Sequence, residues 1–314
     1  MKQDVRVKRK SFQKIIWAAD PLEDKQIQDQ SIHVLRDLSK RTKASIEPVY
    51  VLSDGLLSLS VPKSELEKQF KPASEKALNQ LAKRGKISRL ERPTVLVSAP
   101  SSRGTAAETL DRYARSKNAD LILVNSHGRH GVKRALMGSF AETLTLHSKT
   151  PVLISGPKTK HISKLDHILF PTDFSKESKK TFERVQELAE KLGAKITLFH
   201  AVVNPIEPFV QSGAALLGGG VVWTRGYVKK IYDEQKKTAA AWATEARKKG
   251  LEVDTAFDVD STSAVLSILQ YARRKKPGMI AMASESSVAS AAFLGSIGRG
   301  VAREAPCPVW FLRT

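Results

Sequence analysis

The residues best placed to do chemistry are Asn125-Ser126-His127-Gly128, followed by nine residues and then Gly138-Ser139. Before them, Ala119 to Val124 includes an apolar run too short for a helix, which is how a strand buried on both faces reads. After them, Ser139 stands three residues ahead of Glu142, the spacing of a capping box, so a helix capped by Ser139 is expected there. Strand, loop and helix in that order bring unpaired amides and the positive end of a helix dipole to the crevice outside the carboxyl ends of a parallel sheet. That is where anions bind. Gly128 and Gly138 would let the backbone approach an oxygen closely, and Lys133 and Arg134 lie within reach of a phosphate.

The chemistry so indicated is phosphate binding, not catalysis. His127 and His130 have no carboxylate or cysteine at metal-ligand spacing. The chain contains no Gly-x4-Gly-Lys-Ser/Thr loop, no Gly-x-Ser-x-Gly elbow and no His-Glu-x-x-His helix.

The elements that must position this loop occur twice. Phe12 to Ala19 reads as a strand ending at Asp20, followed by a helix with Ile27, Val34, Leu35 and Leu38 at helical spacing. Lys164 to Phe170 repeats it, ending in Pro171-Thr172-Asp173-Phe174-Ser175 before a helix carrying Phe182, Val185, Leu188, Ala189 and Leu192. Ser45 to Leu52 is matched by Lys195 to Val203, and Thr94 to Ser98 by Leu251 to Val259. Pro151 to Ile154 and Pro308 to Leu312 close the two copies. Five strands alternating with four helices in each copy is the arithmetic of a doubly wound parallel sheet. The expected fold class is therefore α/β, two tandem five-stranded sheets, with domains at 1–158 and 159–314.

The loop and its flanks resemble the signature of the universal stress protein family: a glycine, two residues, a glycine, nine residues, then Gly-Ser or Gly-Thr. Asn125 stands where the family has its first glycine, while Gly128, Gly138 and Ser139 match. The resemblance covers both copies and implies a Rossmann-like, adenine nucleotide alpha hydrolase-like fold with strand order 3-2-1-4-5. It implies ATP or a related adenine nucleotide as ligand, with magnesium as companion, held in the N-terminal copy by Asp20, a backbone position at Val51, and Asn125, Gly128, Gly138 and Ser139. It also implies pairing of the last strands into an internal pseudo-dimer, with a homodimer as a further arrangement. In the second copy, loop spacing sets Met282, Glu285, Gly295 and Ser296 against Asn125, Gly128, Gly138 and Ser139. Glu285 would there repel phosphate, so this copy is read as degenerate.

These residues also have purely structural readings. Asp20 precedes Pro21 and can cap a turn or helix, Asp173 can do the same in its copy, and the loop glycines can serve tight turns. The chain has 314 residues and a net charge of +20, with clusters such as Lys83-Arg84-Gly85-Lys86 and Arg273-Arg274-Lys275-Lys276. Such a balance favours polyanions, so nucleic acid or an anionic surface is an alternative partner. The clusters fall mainly at helix ends or loops and lack interleaved aromatics, which equally describes a solvated face. The lone Cys307 excludes an internal disulfide and reads as an inert buried thiol. No run approaches the length that spans a bilayer, and a cytoplasmic protein is expected. Asn204 to Thr224, with Gly218-Gly219-Gly220 among apolar residues, reads as a loop covering a cleft or meeting a partner. Three functions stay open: a nucleotide-binding stress protein, a scaffold of the same fold without nucleotide, and a polyanion binder.

Overall fold

A computed structural model describes residues 12–53, 61–98, 103–126, 138–156, 158–159, 164–202, 220–259, 263–284 and 296–313. The first half runs β1 Lys14–Ala18, α1 Lys25–Thr42, β2 Ser45–Ser53, α2 Lys71–Gly85, β3 Thr94–Ser98, α3 Arg103–Ser116, β4 Leu121–Asn125, α4 Ser139–His147 and β5 Val152–Ser155. One α turn, Lys63–Glu65, and one π turn, Leu66–Phe70, lead into α2. The second half runs β6 His167–Pro171, α5 Lys176–Leu192, β7 Lys195–Ala201, α6 Gly220–Lys248, β8 Val253–Asp258, α7 Ala264–Lys275, β9 Met279–Ser284, α8 Ser296–Glu304 and β10 Val309–Arg313. Because α6 begins at Gly220, the end of the expected Asn204–Thr224 loop is helical; residues 204–219 lie outside the described residues.

Local chemistry accounts for the boundaries. The Asp24 carboxylate accepts the Gln26 N–H at 2.8 Å and starts α1, and the Ser175 hydroxyl accepts the Ser178 N–H at 3.1 Å and starts α5. Helix α5 ends at Gly193, whose φ of 58° is left-handed and costs a glycine little. Basic residues collect in last turns: Lys40 and Arg41 in α1, Lys83 and Arg84 in α2, Arg273, Arg274 and Lys275 in α7. There they complement the negative end of the helix dipole, which accounts physically for much of the clustering.

All strands form one ten-stranded sheet in the order β3-β2-β1-β4-β5-β10-β9-β6-β7-β8. Each half thus has the order 3-2-1-4-5, and its neighbours pair in parallel. The halves join where β5 and β10 pair antiparallel, with Ile154 against Val309 and Phe311 against Val152. The apolar edge strand of each half therefore covers that of the other.

The apolar periodicity of the helices is consumed on the sheet's two faces. On one, Leu35 and Leu38 of α1, Leu78 of α2, Phe182 and Val185 of α5 and Trp242 of α6 pack against alternate strand residues. On the other, Leu110 of α3, Leu144 of α4, Leu269 of α7 and Val301 of α8 do the same. Each such side chain contributes about 1.5–3 kcal/mol when fully buried. Cys307 lies within the second cluster, where burial pushes its thiol up to about 12, so it is an inert thiol. The halves also meet through polar contacts: Arg41 Nη1 donates to the Leu192 carbonyl at 2.8 Å, Asp37 Oδ2 accepts the Leu165 N–H at 2.7 Å, and Arg299 of α8 lies 3.5 Å from Glu142 of α4.

Candidate functional site

Strand β1 pairs with β2 on one side and β4 on the other, so the connections leaving β1 and β4 diverge and open a crevice at their carboxyl ends. Around it stand Asp20 just past β1, Val51 in β2, Asn125 at the end of β4, and Gly138 and Ser139 at the start of α4. Gly128, His127, His130, Lys133 and Arg134 lie outside the described residues.

Asn125 is 7% exposed and in register with Ser155 of β5. Its Oδ1 accepts a hydrogen bond from the Ser31 hydroxyl of α1, and its Nδ2 donates to Glu23 Oε2 at 2.7 Å. The residue in the place of the family's first glycine therefore ties β4 to the start of the first helix and holds a carboxylate at the root of the loop. The sequence reading missed Glu23 and Ser31. Ser31 alone carries a signal, as a hydroxyl on the buried apolar face of α1.

Asp20 uses Oδ1 to accept the Leu22 N–H at 2.9 Å, closing the turn after β1, while Asp24 caps the helix. Its carbonyl accepts from Gln28 Nε2 at 3.0 Å. Val51 is half-buried, pairs with Leu96, and packs with the α3 and α4 side of the core. Asp20 and Val51 thus flank the crevice on the β1–β2 side, and Asn125 and Gly138 on the β4 side.

The expected Ser139 cap is not formed. Gly138 is the N-cap, with φ −59° and ψ 142°, and among the described residues no side chain caps the helix; Ser139 is its exposed first residue. The Gly138 N–H instead donates to the Ser126 carbonyl at 2.5 Å, drawing the two ends of the loop together, and its carbonyl receives the Glu142 N–H at 2.9 Å. That backbone tie sets the chain direction into α4, and the Glu142 carboxylate is engaged with Arg299 rather than with the cap. Beside this tie, the hydroxyls of Ser126 and Ser155 are buried without a hydrogen-bond partner among the described residues. Among the described residues, the amides at the start of α4 are without a side-chain cap, which is the chemistry that favours an anion at a helix N-terminus.

In the second half, Asp173 accepts the Ser175 N–H at 2.9 Å and the Ser178 hydroxyl at 2.6 Å. Burial pushes its carboxyl up, and these hydrogen bonds more than offset that, holding it below the usual carboxylate range. Its position is accounted for by the turn before α5. Beyond it, Phe174 packs 5.5 Å from His200 and 5.3 Å from Trp242.

Strand pairing also corrects the alignment of the halves. Leu121 pairs with Ile15 and Met279 with Ile168, so Asn125 corresponds to Ala283, not Met282. The same count sets Ser286, not Glu285, against Gly128, and both of these second-half residues lie outside the described ones. Glu285 therefore corresponds to His127 and does not take the place of Gly128, where the second half has a serine instead of a glycine. Among the described residues, no group of three or more His, Cys, Asp or Glu is placed to hold a metal ion, and no helix is long and apolar enough to cross a membrane.

The structure of a universal stress protein from Archaeoglobus fulgidus DSM 4304 is similar to this chain with TM-score 0.63 and 19% identity, over 95% of this chain and 96% of that one. A functionally unknown protein from Pseudomonas aeruginosa PAO1 gives TM-score 0.57 and 14% identity, over 96% and 93%. A universal stress protein in complex with cAMP is similar to one half alone, with TM-score 0.32 and 19% identity over 47% of this chain and 98% of its own. Comparison with curated proteins gives no match. The model of the universal stress protein family matches residues 11–155 and again 164–313, each match spanning five strands of the sheet. Matched twice over nearly its whole length, the chain belongs to the universal stress protein family and carries two of its domains in tandem.

Proposed function

We propose that this protein is a cytoplasmic stress-response binding protein, not an enzyme, whose N-terminal domain, residues 1–158, holds ATP or a related adenine nucleotide between β1 and β4. The observation that carries this reading is the start of α4. There, among the described residues, Gly138 leaves the helix without a side-chain cap and the neighbouring Ser126 hydroxyl is without a partner. The crevice supplies donors suited to a phosphate, and any magnesium would arrive with the nucleotide. Residues 159–314 act first as a structural partner, because β10 covers the edge of β5.

The test is thermal unfolding with added ATP. Stabilisation should grow as RT ln(1 + [L]/Kd), about 2.7 kcal/mol at a hundredfold excess over Kd. Gly138→Asp should abolish it while keeping the fold, since aspartate is a favoured N-cap whose carboxylate would take the amides and repel phosphate. A wild-type protein that ATP does not stabilise overturns the reading.

One observation favours the nucleotide-free scaffold instead: Asn125 holds the Glu23 carboxylate at the root of the loop, where a polyphosphate would meet a like charge. The net charge of +20 supports the third reading, binding to nucleic acid or another polyanion, which should weaken steeply as salt rises.

A further inference from the structure

We propose that the groove between the two halves, at the amino ends of β1, β4 and β5, is a second binding site, for a small carboxylate bearing an apolar tail or ring. A cavity of about 360 Å³ opens there, at the opposite end of the strands from the crevice at Asn125. That is the size range of small-molecule sites.

The cavity exists because the junction between the halves is not symmetric. Counting from the buried positions Ser31 and Thr181, Asp37 of α1 corresponds to Glu187 of α5, and Arg41 to Lys191. On one side, Asp37 accepts the Leu165 N–H at 2.7 Å and Arg41 donates to the Leu192 carbonyl at 2.8 Å, closing the junction with direct bonds. On the other side, Glu187 and Lys191 line open space.

Its floor is apolar, formed by Phe12, the buried Leu188 and the buried Trp310, and the Trp310 indole N–H has no hydrogen-bond partner among the described residues. A buried donor of that kind gains from an acceptor brought by a ligand. The rim carries Arg115, Lys149, Arg184 and Lys191 against Asp120 and Glu187. The Asp120 carboxylate is already engaged, accepting the N–H groups of Gln13 and Lys14 at 2.6 and 3.0 Å. Arg115 is engaged with Asp111 at 3.0 Å, whereas the Lys149 and Lys191 ammonium groups have no partner among the described residues. Surplus positive charge above an apolar floor is complementary to an amphipathic anion. Glu187 on the same rim disfavours a second negative head, which selects a monocarboxylate over a polyphosphate.

The probe is anilinonaphthalene sulfonate, an aromatic monoanion whose fluorescence reports binding, titrated into the full-length protein. The expected result is saturable one-site binding, displaced by octanoate but not by octanol, and weakened at least about tenfold in Lys149→Glu/Lys191→Glu. The milder Lys149→Gln/Lys191→Gln variant should weaken it in the same direction with the melting temperature unchanged. Absence of one-site binding, equal displacement by octanol, or unchanged affinity in both folded variants overturns the proposal.

Discussion

Leu153 of β5 and Trp310 of β10 stand opposite each other at the one antiparallel step of an otherwise parallel sheet. Both are buried, so the step is part of the core rather than a loose contact. Two edges that would each expose unpaired backbone groups along an apolar strand are hidden by one pairing.

Residues 1–158 expressed alone should therefore form a homodimer or aggregate, because β5 loses β10 and must find another strand. Light scattering checks this. A monodisperse, stable monomer would show that the second half is not needed to cover the edge.

Asn125→Gly restores the family's residue and removes the hydrogen bonds to Ser31 and Glu23. Losing partners for buried polar groups should cost about 1–3 kcal/mol in urea unfolding. If the nucleotide reading holds, the same change should tighten ATP binding, since Glu23 is no longer held at the root of the loop. A flat ATP titration in both proteins favours the scaffold.

Acid should unfold the protein through two buried carboxylates. Glu47 lies 2.7 Å from the Lys14 ammonium and accepts hydroxyl hydrogen bonds from Thr94 at 2.9 Å and Tyr113 at 2.5 Å. Burial pushes its carboxyl up, and the Lys14, Tyr113 and Thr94 contacts more than offset that, holding it below its ordinary value. Asp111 is likewise raised by burial and lowered further by the Ser148 hydroxyl, the Thr150 N–H and Arg115. A depressed carboxylate stabilises fully above its unfolded value, about 4, and that contribution is lost as pH falls through the folded value. Urea midpoints should thus fall increasingly below about pH 4, and Glu47→Gln should flatten the fall while lowering stability at neutral pH. An acid slope unchanged in Glu47→Gln would remove Glu47 from the account.

The sequence by itself determined the strands, the helices and their repetition, because apolar period and turn residues act over a few neighbouring positions. Thr94–Ser98 and the apolar face of α1 follow from such local patterns. The loop's carriers were also legible, as a residue spacing. The tertiary structure decided what those residues do. Ser139 and Glu142 have the spacing of a capping box, yet the tie from Gly138 to Ser126 and the reach of Arg299 send the chain and the carboxylate elsewhere. Asn125 reads as a missing glycine until α1 brings Ser31 and Glu23 against it. Loop lengths aligned Met282 with Asn125, whereas hydrogen-bonded register, a property of neighbouring strands, aligns Ala283. The groove floored by Trp310 has no sequence signature at all, since it forms where equivalent helices from the two halves meet unequal neighbours. Each of these outcomes depends on partners distant along the chain, which a pattern of near neighbours does not encode.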